Sequence, residues 1–107
     1  MSDAAIVLTT LGADADAVAL ARTLVEEHLA ACVNILPPMT SVYRWKGQLE
    51  QDREQQLIIK TTAARLDALE ARLRALHPYE LPEFLVLEAA ASGAYGAWVR
   101  ESTTPPR

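Results

Sequence analysis

Hydrophobic residues fall along this chain in two alternating rhythms, and the switches between them divide it into elements. Ala4 to Leu11 is a compact run containing Ile6 and Val7 and bounded by Gly12, which predicts a buried strand. Asp14 or Asp16 then stands where a helix cap belongs, since a carboxylate there accepts orphan backbone N–H groups. Val18, Ala21, Leu24, Val25, His28 and Leu29 recur at three- and four-residue steps, so the helix turns one stripe to a core. Cys32 to Trp45 alternates as a strand, with Pro37 and Pro38 in its middle. Proline donates no ladder hydrogen bond, so the strand must bulge, break or lie at an edge there. Lys46 and Gly47 form a two-residue turn, and Gln48 to Thr62 returns antiparallel. That turn sets Tyr43 opposite Glu50 and Trp45 opposite Gln48. Thr61 or Thr62 is placed to cap a second helix with Leu66, Leu69, Leu73 and Leu76 on its buried stripe. His77-Pro78 ends it, because the residue before a proline is driven out of the helical region. Phe84 to Ala91 reads as another strand, and Gly93 to Glu101 as a short helix bearing Tyr95, Trp98 and Val99.

The order β-α-β-β-α-β with an added C-terminal helix predicts an α+β fold. It is a ferredoxin-like antiparallel sheet with both main helices on one face, formed by residues 1–107 as a single domain. Two features predict self-association. Ile6 to Leu8, Ile58, Ile59 and Leu85 to Leu87 are near-continuous apolar runs, which calls for cover on both faces of the sheet. The central hairpin also has arms about twice the usual strand length of roughly 5–6 residues. Towards the tip the arms become polar through Gln51 to Gln56 while Tyr43 and Trp45 stay aromatic, and aromatics beside Arg44 have the composition of an interface hot spot. Tyr43, Arg44 and Trp45 are therefore the expected oligomer contacts.

Composition narrows the functional classes. The chain has 107 residues, half of them hydrophobic, which suffices for one core, with disorder expected only at 102–107. A formal charge of −4 and scattered basic residues argue against a nucleic-acid or anionic-membrane surface. No run reaches the roughly 18–20 apolar residues of a membrane span. One cysteine, Cys32, leaves no intramolecular disulfide, and no secretion signal opens the chain, so the expected address is cytoplasmic.

Several separated motifs resemble the CutA family of divalent-cation tolerance proteins across nearly the whole chain. They are Ala30 to Ile35, Thr40 to Gly47, Leu57 to Thr61, His77 to Glu80 with Pro82 and Glu83, and Tyr95 with Trp98. The resemblance implies a cytosolic homotrimer of ferredoxin-like subunits, with sheets around a three-fold axis and hairpins reaching onto neighbours. It also implies a role in tolerance of copper or other divalent metals, with a divalent cation as ligand. In overall shape the family is similar to the PII signalling trimers, which gives the alternative of a scaffold binding a small ligand or partner protein at inter-subunit clefts.

The chemistry available is modest. Copper favours thiolate, thioether and imidazole donors, here Cys32, His28, His77, Met1 and Met39, and none of them forms a close-spaced cluster. Family members with proposed metal ligands carry a cysteine ending the first strand and paired histidines before the proline. This chain has Thr9, Thr10 and Leu76 at those places, so the implied metal ligand reduces to His77. Cys32 reads as a small buried hydrophobe and His28 as a residue near a helix end. The expected cleft joins His77, Tyr79, Glu80 and Glu83 with Lys60 and a neighbour's hairpin aromatics. A loop merely stiffened by Pro78 and Pro82 is the other reading. No nucleophile elbow, phosphate loop or metal-hydrolase helix is present, so no enzymatic reaction is expected.

Overall fold

The computed structural model describes residues 3–106. Its elements are β1 (Ala4–Gly12), α1 (Ala17–Glu26), β2 (Cys32–Ile35), β3 (Met39–Trp45), β4 (Gln48–Thr62), α2 (Leu66–Leu76), β5 (Leu85–Glu88) and α3 (Gly93–Ser102). A single 3₁₀ turn, Ala63–Arg65, leads into α2. All pairings are antiparallel, in the order β2-β4-β1-β5, with β3 continuing β2 along β4. Counting β2 and β3 as one interrupted strand, this is the expected ferredoxin-like sheet with a C-terminal helix.

The interruption is where the prolines put it. Ile35 faces Leu57 and Met39 faces Glu54, so the β2–β3 side holds one more residue than β4 between those pairs. The extra residue is a bulge, and Leu36 N–H still reaches the Gln56 carbonyl at 2.9 Å. Beyond it the predicted register holds, with Tyr43 opposite Glu50 and Trp45 opposite Gln48. Lys46 (φ 50°) and Gly47 (φ 79°) are both left-handed, the geometry whose twist matches a two-residue hairpin.

Alternation along the strands sorts the two faces. Val7, Leu57 and Ile59 point beneath α1 and α2 and join Leu24, Leu29, Leu69 and Leu73 in the core. Each such fully buried side chain contributes about 2 kcal/mol. Ile6, Leu8 and Ile58 point the other way and remain only part-covered, with Leu85 and Leu87 of β5 on the same face by register. α3 packs against β4 and β1, and its buried Val99 lies outside the core cluster.

Asp16 caps α1, accepting from Ala19 N–H at 3.0 Å. The helix stops in a Schellman turn, with Leu29 N–H on the Leu24 carbonyl (2.9 Å) and His28 N–H on that of Val25 (3.1 Å). His28 occupies the left-handed position usually given to glycine (φ 60°), and its Nδ1 meets the Ser102 carbonyl at 3.2 Å. It thus ties the ends of α1 and α3 instead of lying on the buried stripe.

Other expectations need correction. Val18, Val25 and Leu76 are exposed; Ala17 and Leu20 complete the α1 stripe in their place. Thr61 does not cap α2, because its hydroxyl is drawn to the Leu29 carbonyl (2.8 Å), and Thr62 makes no side-chain cap bond. β5 is shorter than Phe84 to Ala91, since pairing with β1 covers only four positions. Cys32 is half-buried, facing away from the helices beside Lys60. The C-terminal segment is held in place: Thr103 is buried, and its hydroxyl donates to the Val99 carbonyl at 2.8 Å. Arg107 lies outside the described residues.

Candidate functional site

The loop that follows α2 returns along β1 and the hairpin, and there the polar groups gather. His77 is buried. Its Nε2–H donates to the Thr10 carbonyl (2.6 Å), and its Nδ1 accepts from Tyr79 N–H (3.1 Å). Those two partners assign one neutral tautomer and occupy both ring nitrogens. The Tyr79 ring stands 4.7 Å from the imidazole, and its hydroxyl donates to Glu54 Oε2 at 2.7 Å. Burial first, then that hydrogen bond and the charge of Glu54, push the Tyr79 phenol well above its ordinary pKa of 10.0.

Neighbouring bonds fix the frame. Gln56 Nε2 donates to the Thr9 carbonyl (2.6 Å) and to Glu83 Oε2 (3.0 Å). Gln55 Nε2 donates to the carbonyls of Gly12 (3.0 Å) and Ala15 (2.9 Å), pinning the β1–α1 turn. Further out, the Tyr43 hydroxyl donates to Asp52, which with burial and nearby carboxylates raises its pKa to about 12. Lys46 at the turn pairs with Glu80 at 3.6 Å, so the loop lies beside the arm of its own chain. Both partners are well exposed, and this pair contributes little stability.

Of the sequence-selected residues, the fold gathers His77, Tyr79, Glu80 and Glu83 with the hairpin. Lys60 stands apart. It faces Ile6 and Cys32, four residues along β4 from Gln56, or about 13 Å at strand spacing. Trp45 is part-buried with Lys46 Nζ 5.5 Å from its ring centre, whereas Tyr43 and Arg44 are exposed. Glu54, Gln56 and Thr10 are the members that sequence reasoning missed. Their signal was the β1–β4 register, which sets Thr10 against Gln56 and brings Glu54 to the same end of the sheet. A shallow groove of about 480 Å³ between the end of α1 and α2 is lined by none of the selected residues.

Among the described residues the donor set of one chain does not fit copper; Met1 lies outside them. Both His77 nitrogens are spent inside the protein, His28 is at the far end of α1, and Cys32 is on the open face. Among the described residues, no three His, Cys, Asp or Glu side chains converge as a ligand set. What the arrangement offers is a rigid neutral imidazole backing a row of phenols and carboxylates.

Three comparisons bear on kinship. The family model described as CutA1 divalent ion tolerance protein matches residues 5–102. The divalent-cation tolerance protein CutA of Thermus thermophilus is 46% identical over 99 residues, 92% of this chain and 96% of that one. Its solved counterpart, the divalent cation tolerance protein (Cut A1) from the same organism, superposes with a TM-score of 0.89 at 44% identity, covering 94% and 99% of the two chains. A PII-like protein CutA from Nostoc sp. in apo form superposes with a TM-score of 0.87 at 39% identity, covering 95% and 99%.

Proposed function

This chain belongs to the CutA1 divalent ion tolerance protein family, and from that premise we propose that it acts as a cytoplasmic homotrimer in the response to divalent cations, copper among them. The observation that carries this reading is the uncovered side of the sheet. Leu85 and Leu87 are 56% and 51% exposed in a lone chain, beside part-covered Ile6, Leu8 and Ile58. A continuous apolar face of that kind is covered most simply by another copy. Sedimentation velocity at micromolar protomer is the test, and a single monomeric species overturns the reading.

The role in tolerance is then placed at clefts between subunits, where His77, Tyr79, Glu80 and Glu83 meet a neighbouring copy. Saturation of both imidazole nitrogens favours a second form of this reading, a PII-like trimer that takes a small ligand or partner protein at those clefts. Calorimetric titration with Cu(II) and Zn(II), beside a thermal-shift panel of nucleotides and anions, separates the two. Metal heat that disappears in His77→Ala supports direct binding. A shift with an anion or nucleotide and no metal heat supports the ligand-binding scaffold.

A further inference from the structure

One end of the sheet, on the side away from the helices, carries hydrogen-bonding groups that the chain leaves unused. Alternation along β1 and β4 puts Thr10, Glu54 and Gln56 on that side with Leu8 and Ile58, and Thr10 stands directly opposite Gln56. The loop after α2 reaches over them. Glu83 Oε2 meets Gln56 Nε2 at 3.0 Å, and the Tyr79 hydroxyl meets Glu54 Oε2 at 2.7 Å. Thr10 and Glu54 are only 8% and 7% exposed.

Groups buried to that depth call for partners. Thr10 is bonded through its carbonyl, to His77, while its hydroxyl meets no protein group among the described residues. Unlike the sealed hydroxyl of Thr9, it keeps an opening to solvent. Glu54 has Oε1 to spare, and so has Glu83. Gln56 spends its amide N–H groups on the Thr9 carbonyl (2.6 Å) and on Glu83, which leaves its Oε1 as an acceptor. Neither Glu54 nor Glu83 has a cationic partner among the described residues.

The unspent side-chain groups are therefore acceptors, two of them on uncompensated carboxylates, and the Thr10 hydroxyl holds the one proton left over. An ammonium, with three donors and no acceptor, is the complement of such a surface. A divalent metal fits it less well. Calcium takes about 6–8 oxygen ligands, and no three His, Cys, Asp or Glu side chains converge among the described residues. Glu54 and Gln56 lie two residues apart on β4, about 7 Å, and Glu83 is bonded to Gln56, so one short ligand can reach both carboxylates.

Building on the small-ligand reading of the clefts, we infer that this acidic ridge binds a short aliphatic diamine in its diammonium form. One end lies on Glu54 and Thr10, the other on Glu83 and Gln56. The ligand is then a cation that donates, in place of an anion or nucleotide. At neutral pH such an amine is protonated, as lysine is.

Calorimetric titration of the whole protein with putrescine, in an amine-free buffer at about 0.02 M salt, tests it. Tetramethylammonium, which has the charge without the donors, and butyrate, which inverts the charge, are the controls. Heat is expected with putrescine and not with the other two. Glu54→Gln, whose amide oxygen still accepts from Tyr79, should raise Kd at least about tenfold, and Thr10→Val about threefold or more. Glu83→Gln, at the half-buried rim, carries the same tenfold expectation should Glu54→Gln fail to fold by circular dichroism. Putrescine binding that is unchanged in the folded variants, or matched by tetramethylammonium, overturns the inference. So does a protein that ignores putrescine while an anion or nucleotide raises its melting temperature, a result that leaves the small-ligand reading standing. No response to any of these ligands sinks that reading as well.

Discussion

Replacing His77 by alanine measures how far the imidazole holds the loop. Two hydrogen bonds end on the ring, and the side chain is buried. Loss of the Tyr79 N–H bond costs about 1 kcal/mol, since water can reach that half-exposed loop. Thr10 is buried, so its carbonyl loses the imidazole donor with little replacement from solvent, at about 2 kcal/mol. Lost packing against the Tyr79 ring adds about 1 kcal/mol. The expected total is about 3–4 kcal/mol, a large share of the roughly 5–15 kcal/mol of a typical domain. His77→Gln, whose amide can still donate towards Thr10, should recover about half. Urea unfolding at one fixed protomer concentration, which holds any assembly constant, gives the comparison. A His77→Ala variant within about 0.5 kcal/mol of the parent would falsify the structural role. The same titration carries a metal control: a Cu(II) site at His77 raises the parent's stability by about 2.7 kcal/mol at a hundredfold excess over Kd. The saturated nitrogens lead us to expect no such rise.

Two further outcomes follow from buried polar groups and phenols. The Thr9 hydroxyl is the buried side-chain polar atom without a partner among the described residues, and Thr9 is fully buried on the helix-facing side. Thr9→Val keeps the shape and removes the unmet desolvation, so it should stabilise the protein by about 1 kcal/mol in urea; a loss beyond about 0.5 kcal/mol refutes this. Alkaline titration tests the tyrosines. Tyr43 and Tyr79 have pKa values raised in the folded state, so their contribution is complete below the unfolded value of 10.0; that of Tyr43 is lost as pH climbs towards about 12, and that of Tyr79 higher still. The urea midpoint should fall over that range, and Tyr43→Phe with Tyr79→Phe should flatten the fall; an unchanged slope counts against the hydrogen-bonded phenols.

Sheet order, hairpin register and an interruption at Pro37-Pro38 were legible in the sequence because each has a local cause: alternation, a two-residue turn and a missing donor. The capping of α2 was not. Thr61 has the right chemistry for a cap, yet a carbonyl 32 positions away, at the end of α1, captures its hydroxyl. His28 misled for a similar reason. Its three- and four-residue spacing fits the buried stripe, but the chain has already turned left-handed there, and its ring serves α3. Half of the candidate site could be read from the His77 to Glu83 motif. Glu54 and Gln56 sit in a polar run that looks like solvated arm, and only the β1–β4 register reveals that they close on the loop.

Those same bonds decide what kind of site this chain can build. An imidazole that donates with one nitrogen and accepts with the other works as a strut, and it fixes Tyr79 so that its phenol reaches Glu54. The strut in turn sets the loop against the arm, with Lys46–Glu80 near the tip and Gln56–Glu83 near the base. Whatever binds at the ridge therefore meets a surface organised before it arrives, with little loop ordering left to oppose binding. The chain leaves that surface negative and half open, and it exposes the apolar β5 beside part-covered Ile6 and Leu8. A neighbouring copy would relieve both deficits in one step, and the proposed assembly would then be what forms the cleft. A ligand bound at such a cleft stabilises the assembly that forms it, by linkage.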